Sequence, residues 1–167
     1  QTFSYDDAHR RNTVYYSETG KTEVYEYNES LLVERIAYDD GTCKEFAYSG
    51  DNMKLSETGR MGNRTEWEHD AYGRTVREKS PDGYEVRREY DHNHDLVHTI
   101  DSDGRETQYA YDQNHNLTLL KEKISGGQWK ETAKTYDAKG RCISEKDALG
   151  NETVMEYDDN RTYPRRV

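Results

Sequence analysis

Large aromatic side chains recur along the chain in pairs two residues apart: Phe3 and Tyr5, Tyr25 and Tyr27, Phe46 and Tyr48, Trp67 and His69, Tyr109 and Tyr111. A spacing of two places both members of a pair on one face of an extended strand. The second member is an anchor that repeats at Tyr5, Tyr27, Tyr48, His69, Tyr90, Tyr111, Tyr136 and Tyr157, at intervals of 22, 21, 21, 21, 21, 25 and 21 residues. Arg88, Lys134 and Met155 replace the first aromatic before the other three anchors. Self-similarity at a fixed period marks a repeat architecture in which each unit is one small supersecondary element.

Each unit holds two turns with one grammar. A short acceptor follows every anchor, at Asp6, Asn28, Ser49, Asp70, Asp91, Asp112, Asp137 and Asp158. Glycine stands seven residues before an anchor at Gly20, Gly41, Gly62, Gly83, Gly104 and Gly150, and only the unit ending at Tyr136 departs. Stretches such as Asp70 to Gly73, Asp101 to Gly104 and Asp147 to Gly150 put a carboxylate first and glycine fourth, and Ser80 to Gly83 adds Pro81 second. These are type I turn preferences, with a glycine free to take positive φ. Turns about eleven residues apart leave strands of roughly five to seven residues. The expected fold is all-β: tandem antiparallel β-hairpin repeats of about 21 residues, forming a long meandering, twisted or spiralling sheet. The whole of 1–167 reads as one array of about seven units.

In the long interval, two extra residues fall on each arm of one hairpin, an even number that preserves every side chain's face. "ISGGQWK" (124–130) is therefore expected at the tip of a protruding hairpin carrying Trp129. Successive anchors stand two strands apart, about 9 to 10 Å. The intervening arm must fill that gap, with Val33, Val76, Leu96, Val97, Leu117 and Ile143 as the expected fillers.

Composition narrows the picture. Leu, Ile, Val and Phe number only 22 of 167 residues and the net charge is −10, values typical of disordered chains, but fifteen tyrosines favour pleated sheet. A thin sheet stabilised by aromatic faces reconciles the two. The acidic balance disfavours nucleic acid, which needs clustered Lys and Arg, and no apolar run approaches a membrane span. Cys43 and Cys142 lack metal-type spacing and are expected to be free thiols.

Candidate chemistry is sparse. His92 and His94, flanked by Asp91 and Asp95, have the residue types of a metal site. The repeat explains them otherwise: His9, Asn52, His94 and His115 share the slot of Gly73 and Gly140, and Asn and His tolerate a left-handed backbone. His69 fills a tyrosine slot, while His92 and His98 have no repeat-level account. No metal or cofactor is expected. The many acids could supply acid and base pairs, yet they recur at turn starts in every unit, and no nucleophile with its base, phosphate loop or zinc motif is present. The chain is expected to be non-catalytic. Trp129 and Trp67, among Asp, Asn and Glu, are the candidate glycan contacts, although Trp67 also fits the repeat's aromatic slot. Edge strands would expose unpaired backbone groups able to join neighbouring repeats or another protein chain.

"YDAKGRCISEKDALGNETVMEYD" (136–158) and "HDAYGRTVREKSPDGYEVRREYD" (69–91) resemble YD repeats of the Rhs class, and the resemblance extends over essentially the whole chain. Such repeats occur in bacterial polymorphic toxins, insecticidal toxin complexes and teneurin cell-surface proteins. The resemblance implies a spiralling ribbon of β-hairpins that closes into a hollow shell, in the toxins around a C-terminal effector segment, with the repeats as scaffold and a secreted or cell-surface location. It also implies an Asp-Pro motif for self-cleavage, and the chain has no Asp-Pro pair. The expected role is a segment of a larger shell or a short standalone ribbon, with a carbohydrate- or cell-surface-binding module as the alternative.

Overall fold

The computed structural model describes residues 1–158. All regular structure among them is β-strand apart from two short 3-10 turns. Two compact units divide between Glu85 and Val86. The first holds β1 (Thr2–Asp6), β2 (Arg11–Tyr16), β3 (Lys21–Tyr27), β4 (Val33–Tyr38), β5 (Cys43–Tyr48), β6 (Lys54–Thr58), β7 (Arg64–His69) and β8 (Thr75–Lys79). The second holds β9 (Glu85–Tyr90), whose first residue is the last of the first unit, then β10 (Leu96–Asp101), β11 (Glu106–Tyr111), β12 (Leu117–Lys123), β13 (Trp129–Tyr136), β14 (Cys142–Lys146) and β15 (Glu152–Val154). Within each unit, strands adjacent in sequence pair antiparallel: β1 through β8 in the first and β9 through β15 in the second. The all-β hairpin meander expected from the turn spacing is the fold.

Most turns are three-residue connections built on a type I turn whose last residue is left-handed, whereas the β2–β3 turn, Ser17 to Gly20, has four residues. Gly73 N–H bonds the Asp70 carbonyl at 3.0 Å and Asp70 N–H bonds the Arg74 carbonyl at 3.0 Å; the same two bonds close the turns at Asp91, Asp101, Asp112, Asp137 and Asp147. Positive φ falls on glycine at ten positions, and also on Leu31, Asn52, His94 and His115. The first turn corrects one expectation: its left-handed residue is Arg10 (φ 50), because Asp7–His9 forms a 3-10 turn in a connection of four residues between Asp6 and Arg11.

A second irregularity recurs beside the anchors. Tyr27 pairs with Val33 but Glu26 with Arg35, so Glu34 is an extra residue in β4. The same one-residue shift adds Leu55, Val76, Val97, Thr118 and Ile143 in five further hairpins. These are β-bulges, which bend the bulged strand and increase its twist. They also correct the list of gap fillers. Val33, Leu96 and Leu117 stand opposite anchors, whereas Val76, Val97 and Ile143 are the bulged residues themselves. The residues facing the aromatics before the anchors are Val14, Ile36, Glu57, Glu78 and Leu120.

Among the described residues almost nothing is enclosed. Val14 is the buried apolar residue and Ser56 the buried polar one; other strand side chains are half-buried or exposed. Cohesion therefore comes from ladder bonds and from pairs along each face.

Candidate functional site

The feature repeated in both units is the corner after each anchor. Asp70 Oδ1 accepts the N–H groups of Tyr72 (2.9 Å) and Arg74 (3.1 Å), while Oδ2 takes the Arg74 guanidinium at 2.7 and 2.6 Å. Asp137 repeats this with Lys139 and Arg141. At Asp112, and at Asp147 in the turn that precedes Tyr157, the fourth residue on is Asn116 or Asn151, whose amide replaces the guanidinium. Asn28 holds the amides of Ser30 and Leu32 in the same way. Hydrogen bonds to the charged form lower a carboxyl pKa. Asp70 is lowered first by the Arg74 side chain, Asp112 and Asp147 by Asn116 and Asn151, and Asp137 by the Arg141 backbone N–H.

The anchor ring completes the corner. Tyr48 Oη donates to the Val33 carbonyl (2.9 Å), Tyr136 to Leu117 (2.7 Å) and Tyr157 to Cys142 (2.8 Å). Each acceptor is the residue facing the preceding anchor at the start of a bulge. His69, in the tyrosine slot, places Nε2 2.8 Å from the Lys54 carbonyl and Nδ1 3.4 Å from Thr75 Oγ1. A carbonyl only accepts, so Nε2 carries the hydrogen and His69 delivers a donor where tyrosine would. Burial pushes the Tyr111 and Tyr136 phenols up.

The two faces of the strands differ. On the anchor face, Lys54 Nζ lies 5.2 Å from the Phe46 ring and 5.7 Å from the Trp67 ring, and 3.1 Å from Glu57. Trp67 is thus half-buried within the row. Opposite it runs a charged ladder: Glu26 takes Arg11 (2.7 Å) and Arg35 (3.4 Å), Arg77 takes Glu68 (2.6 Å) and Glu85 (2.7 Å), and Glu106 takes His98 (3.1 Å) and Lys123 (2.7 Å). That ladder accounts for His98. His92 is exposed at its turn, and among the described residues no group of three or more His, Cys, Asp or Glu could hold a metal ion. Cys43 and Cys142 are free thiols.

Trp129 opens β13 on the extended hairpin, opposite Lys123, whose Nζ is 5.9 Å from its ring. The tip, Ile124 to Gln128, closes with Ile124 N–H to the Gln128 carbonyl at 2.8 Å. The anchors Tyr5, Tyr27, Tyr90 and Tyr111 end or nearly end their strands as Tyr48, His69 and Tyr136 do, and Tyr157 follows β15 by three residues. Gly20, Gly41, Gly62, Gly83, Gly104 and Gly150 all have φ between 67 and 90. Sequence reasoning missed the Arg or Asn four residues after the turn acid, although its recurrence at Arg74, Arg105, Asn116, Arg141 and Asn151 is visible in the chain.

Comparison with known proteins agrees with this geometry. Residues 90–122, from the end of β9 through most of β12, match the RHS Repeat family model. No curated protein sequence matches the chain. Among solved structures, the crystal structure of TcdB2-TccC3-Cdc42 superposes on 81% of this chain with TM-score 0.60 and 13% identity. The Photorhabdus luminescens Tc holotoxin pore, with a mutated TccC3, does so over 81% with TM-score 0.60 and 14% identity. This chain spans about 8% of the length of either matched chain. At such identity the likeness is one of fold.

Proposed function

We propose that this chain, which carries an RHS repeat at 90–122 and the same corner in both of its units, is a non-catalytic scaffold segment of an Rhs-type shell or surface protein that encloses or presents another polypeptide segment. The observation behind this reading is the distribution of its chemistry. Carboxylates at Asp70, Asp112, Asp137 and Asp147 are all engaged in holding turns. A catalytic acid or base must instead reach a substrate. Polar groups that elsewhere assemble an active site are here divided equally among corners. The carbohydrate alternative has less support, because Lys54 and the neighbouring strands occupy the surroundings of Trp67.

Protease digestion of the natural polypeptide that contains this chain tests the reading. A segment enclosed by the repeats resists cleavage until denaturant opens them, and corner substitutions such as Asp137→Ala lower the denaturant concentration needed. Cleavage of every other segment at rates indifferent to the repeats would sink the enclosing role.

A further inference from the structure

The lengthened hairpin carries β13 past the end of its next neighbour. β12 pairs with β13 from Ala133 out to Trp129, but β14 pairs with it only from Ala133, opposite Lys146, to Tyr136. Alternation in an antiparallel ladder fixes which backbone groups are left over. Because the Ile124 amide bonds the Gln128 carbonyl, the next pair, Lys123 and Trp129, exchanges no ladder bonds, and neither does Lys121 with Glu131. The N–H and C=O groups of Trp129 and Glu131 therefore point to the side where β14 has ended. Lys130 and Thr132 point inward to β12.

Beside this edge, bare among the described residues, lies an open concavity of about 440 Å³ lined by Leu119, Trp129, Glu131, Ala133, Lys146 and Asp147, among others. Its charges are unequally matched. Glu131 is paired with Lys121 at 2.7 Å, and Asp147 holds the amides of Leu149 and Asn151. Lys146 has no ion pair or hydrogen bond to another side chain among the described residues.

We propose that the outer edge of β13 from Trp129 to Thr132 binds an extended peptide segment bearing an acidic side chain. Main-chain pairing to Trp129 and Glu131 supplies the four hydrogen bonds of strand addition. A ligand residue opposite Glu131 points to the same face as Lys146, since alternate residues share a face, and brings its carboxylate to the unpaired ammonium. The residue opposite Trp129 lies against the indole. Lys121 already balances Glu131, and Asp147 turns its carboxylate to the amides of Leu149 and Asn151, so the added acid meets the Lys146 ammonium. A sugar could use the indole and the polar rim but would leave the β13 amides unused. The proposal stands independently of the scaffold reading.

Amide exchange by NMR in the free chain is the first test: Trp129 and Glu131 exchange quickly, while Lys130 and Thr132 are protected. A phage-displayed random octapeptide library is then panned against the chain and the enriched peptides synthesised. Expected are extended sequences with one acidic position, whose binding slows exchange at Trp129 and Glu131. Lys146→Glu weakens them by about tenfold or more. A variant lacking Glu122, Lys123, Trp129 and Lys130, which restores the 21-residue interval and is checked for sheet content by circular dichroism, does not bind. Protected Trp129 and Glu131 amides in the free chain, peptides indifferent to Lys146→Glu or to the shortened hairpin, self-association that requires the hairpin, or a glycan-array response without a peptide response would each overturn the proposal.

Discussion

Asp137 performs three jobs with two oxygens: Oδ1 fixes two turn amides and Oδ2 fixes the Arg141 side chain. Asp137→Ala removes all three, and Asp137→Asn keeps an amide oxygen for the turn but loses the charge for arginine. The alanine variant is expected to lower the thermal midpoint by a few degrees, and the asparagine variant by less. The same corners set the acid response. Asp70, Asp112, Asp137 and Asp147 all have folded pKa values below the ordinary carboxylate value, so folding is favoured once the unfolded chain's carboxyls ionise, above about pH 4. That stability is lost as pH falls through the lower folded values. Urea midpoints should be flat in this respect from pH 5 to 7 and decline below about 4, with a shallower decline in Asp70→Asn/Asp137→Asn. The anchor position offers a sharper residue test. His69→Phe strands the Lys54 carbonyl and should cost about 1 to 2 kcal/mol by urea titration. His69→Tyr, which restores a donor in the slot, should cost nothing or stabilise.

At the scale of the element, turn identity was legible because backbone strain selects residue type. Gly, Asn and His recur where φ is positive, and the structure places left-handed backbone at Asn52, His94, His115, Gly73 and Gly140. Leu31 shows the limit of that signal: its φ is 60 although leucine gains nothing from it, and the residue is 66% exposed. Leu31→Gly should therefore stabilise by roughly 0.5 to 1 kcal/mol, the relief of left-handed strain less the added entropy of an unfolded glycine. Gly83→Ala, at φ 90 with open space around the missing Cβ, should destabilise by roughly 1 kcal/mol through backbone alone. Chemical denaturation of the two variants gives opposite signs if the turns carry this strain, and equal shifts would refute it. The bulges were not legible: Glu34, Leu55, Val76, Val97, Thr118 and Ile143 all stand seven residues after an anchor and four are aliphatic, but an apolar residue at a fixed place in a strand reads equally well as a regularly paired one. Their common property is a register shift, which only paired strands reveal. The 22-residue interval between Tyr5 and Tyr27 is the trace of the four-residue Ser17 to Gly20 turn; the extra residue of the first corner leaves none, because β2 lacks the bulge that lengthens the other anchor hairpins.

Over the whole molecule the repeat was readable because each contact is local in sequence, whereas the unmatched Lys146 and the bare edge of β13 depend on where two strands of unequal length stop. Local contacts also determine how the chain should unfold. With only Val14 and Ser56 buried among the described residues, little apolar surface leaves water on folding, and the charged ladder remains partly hydrated. Heat-capacity change tracks apolar exposure positively and polar exposure negatively, averaging roughly 12 to 15 cal/mol/K per residue in globular proteins. Scanning calorimetry of this chain should give a value below that range. Repeats that touch mainly their neighbours have stabilities that approximately add, so Asp70→Ala and Asp137→Ala, which lie in different compact units, should combine with no interaction term. A heat-capacity change at or above the globular average, or strong coupling between those two corners, would require a shared apolar core that the burial pattern does not contain.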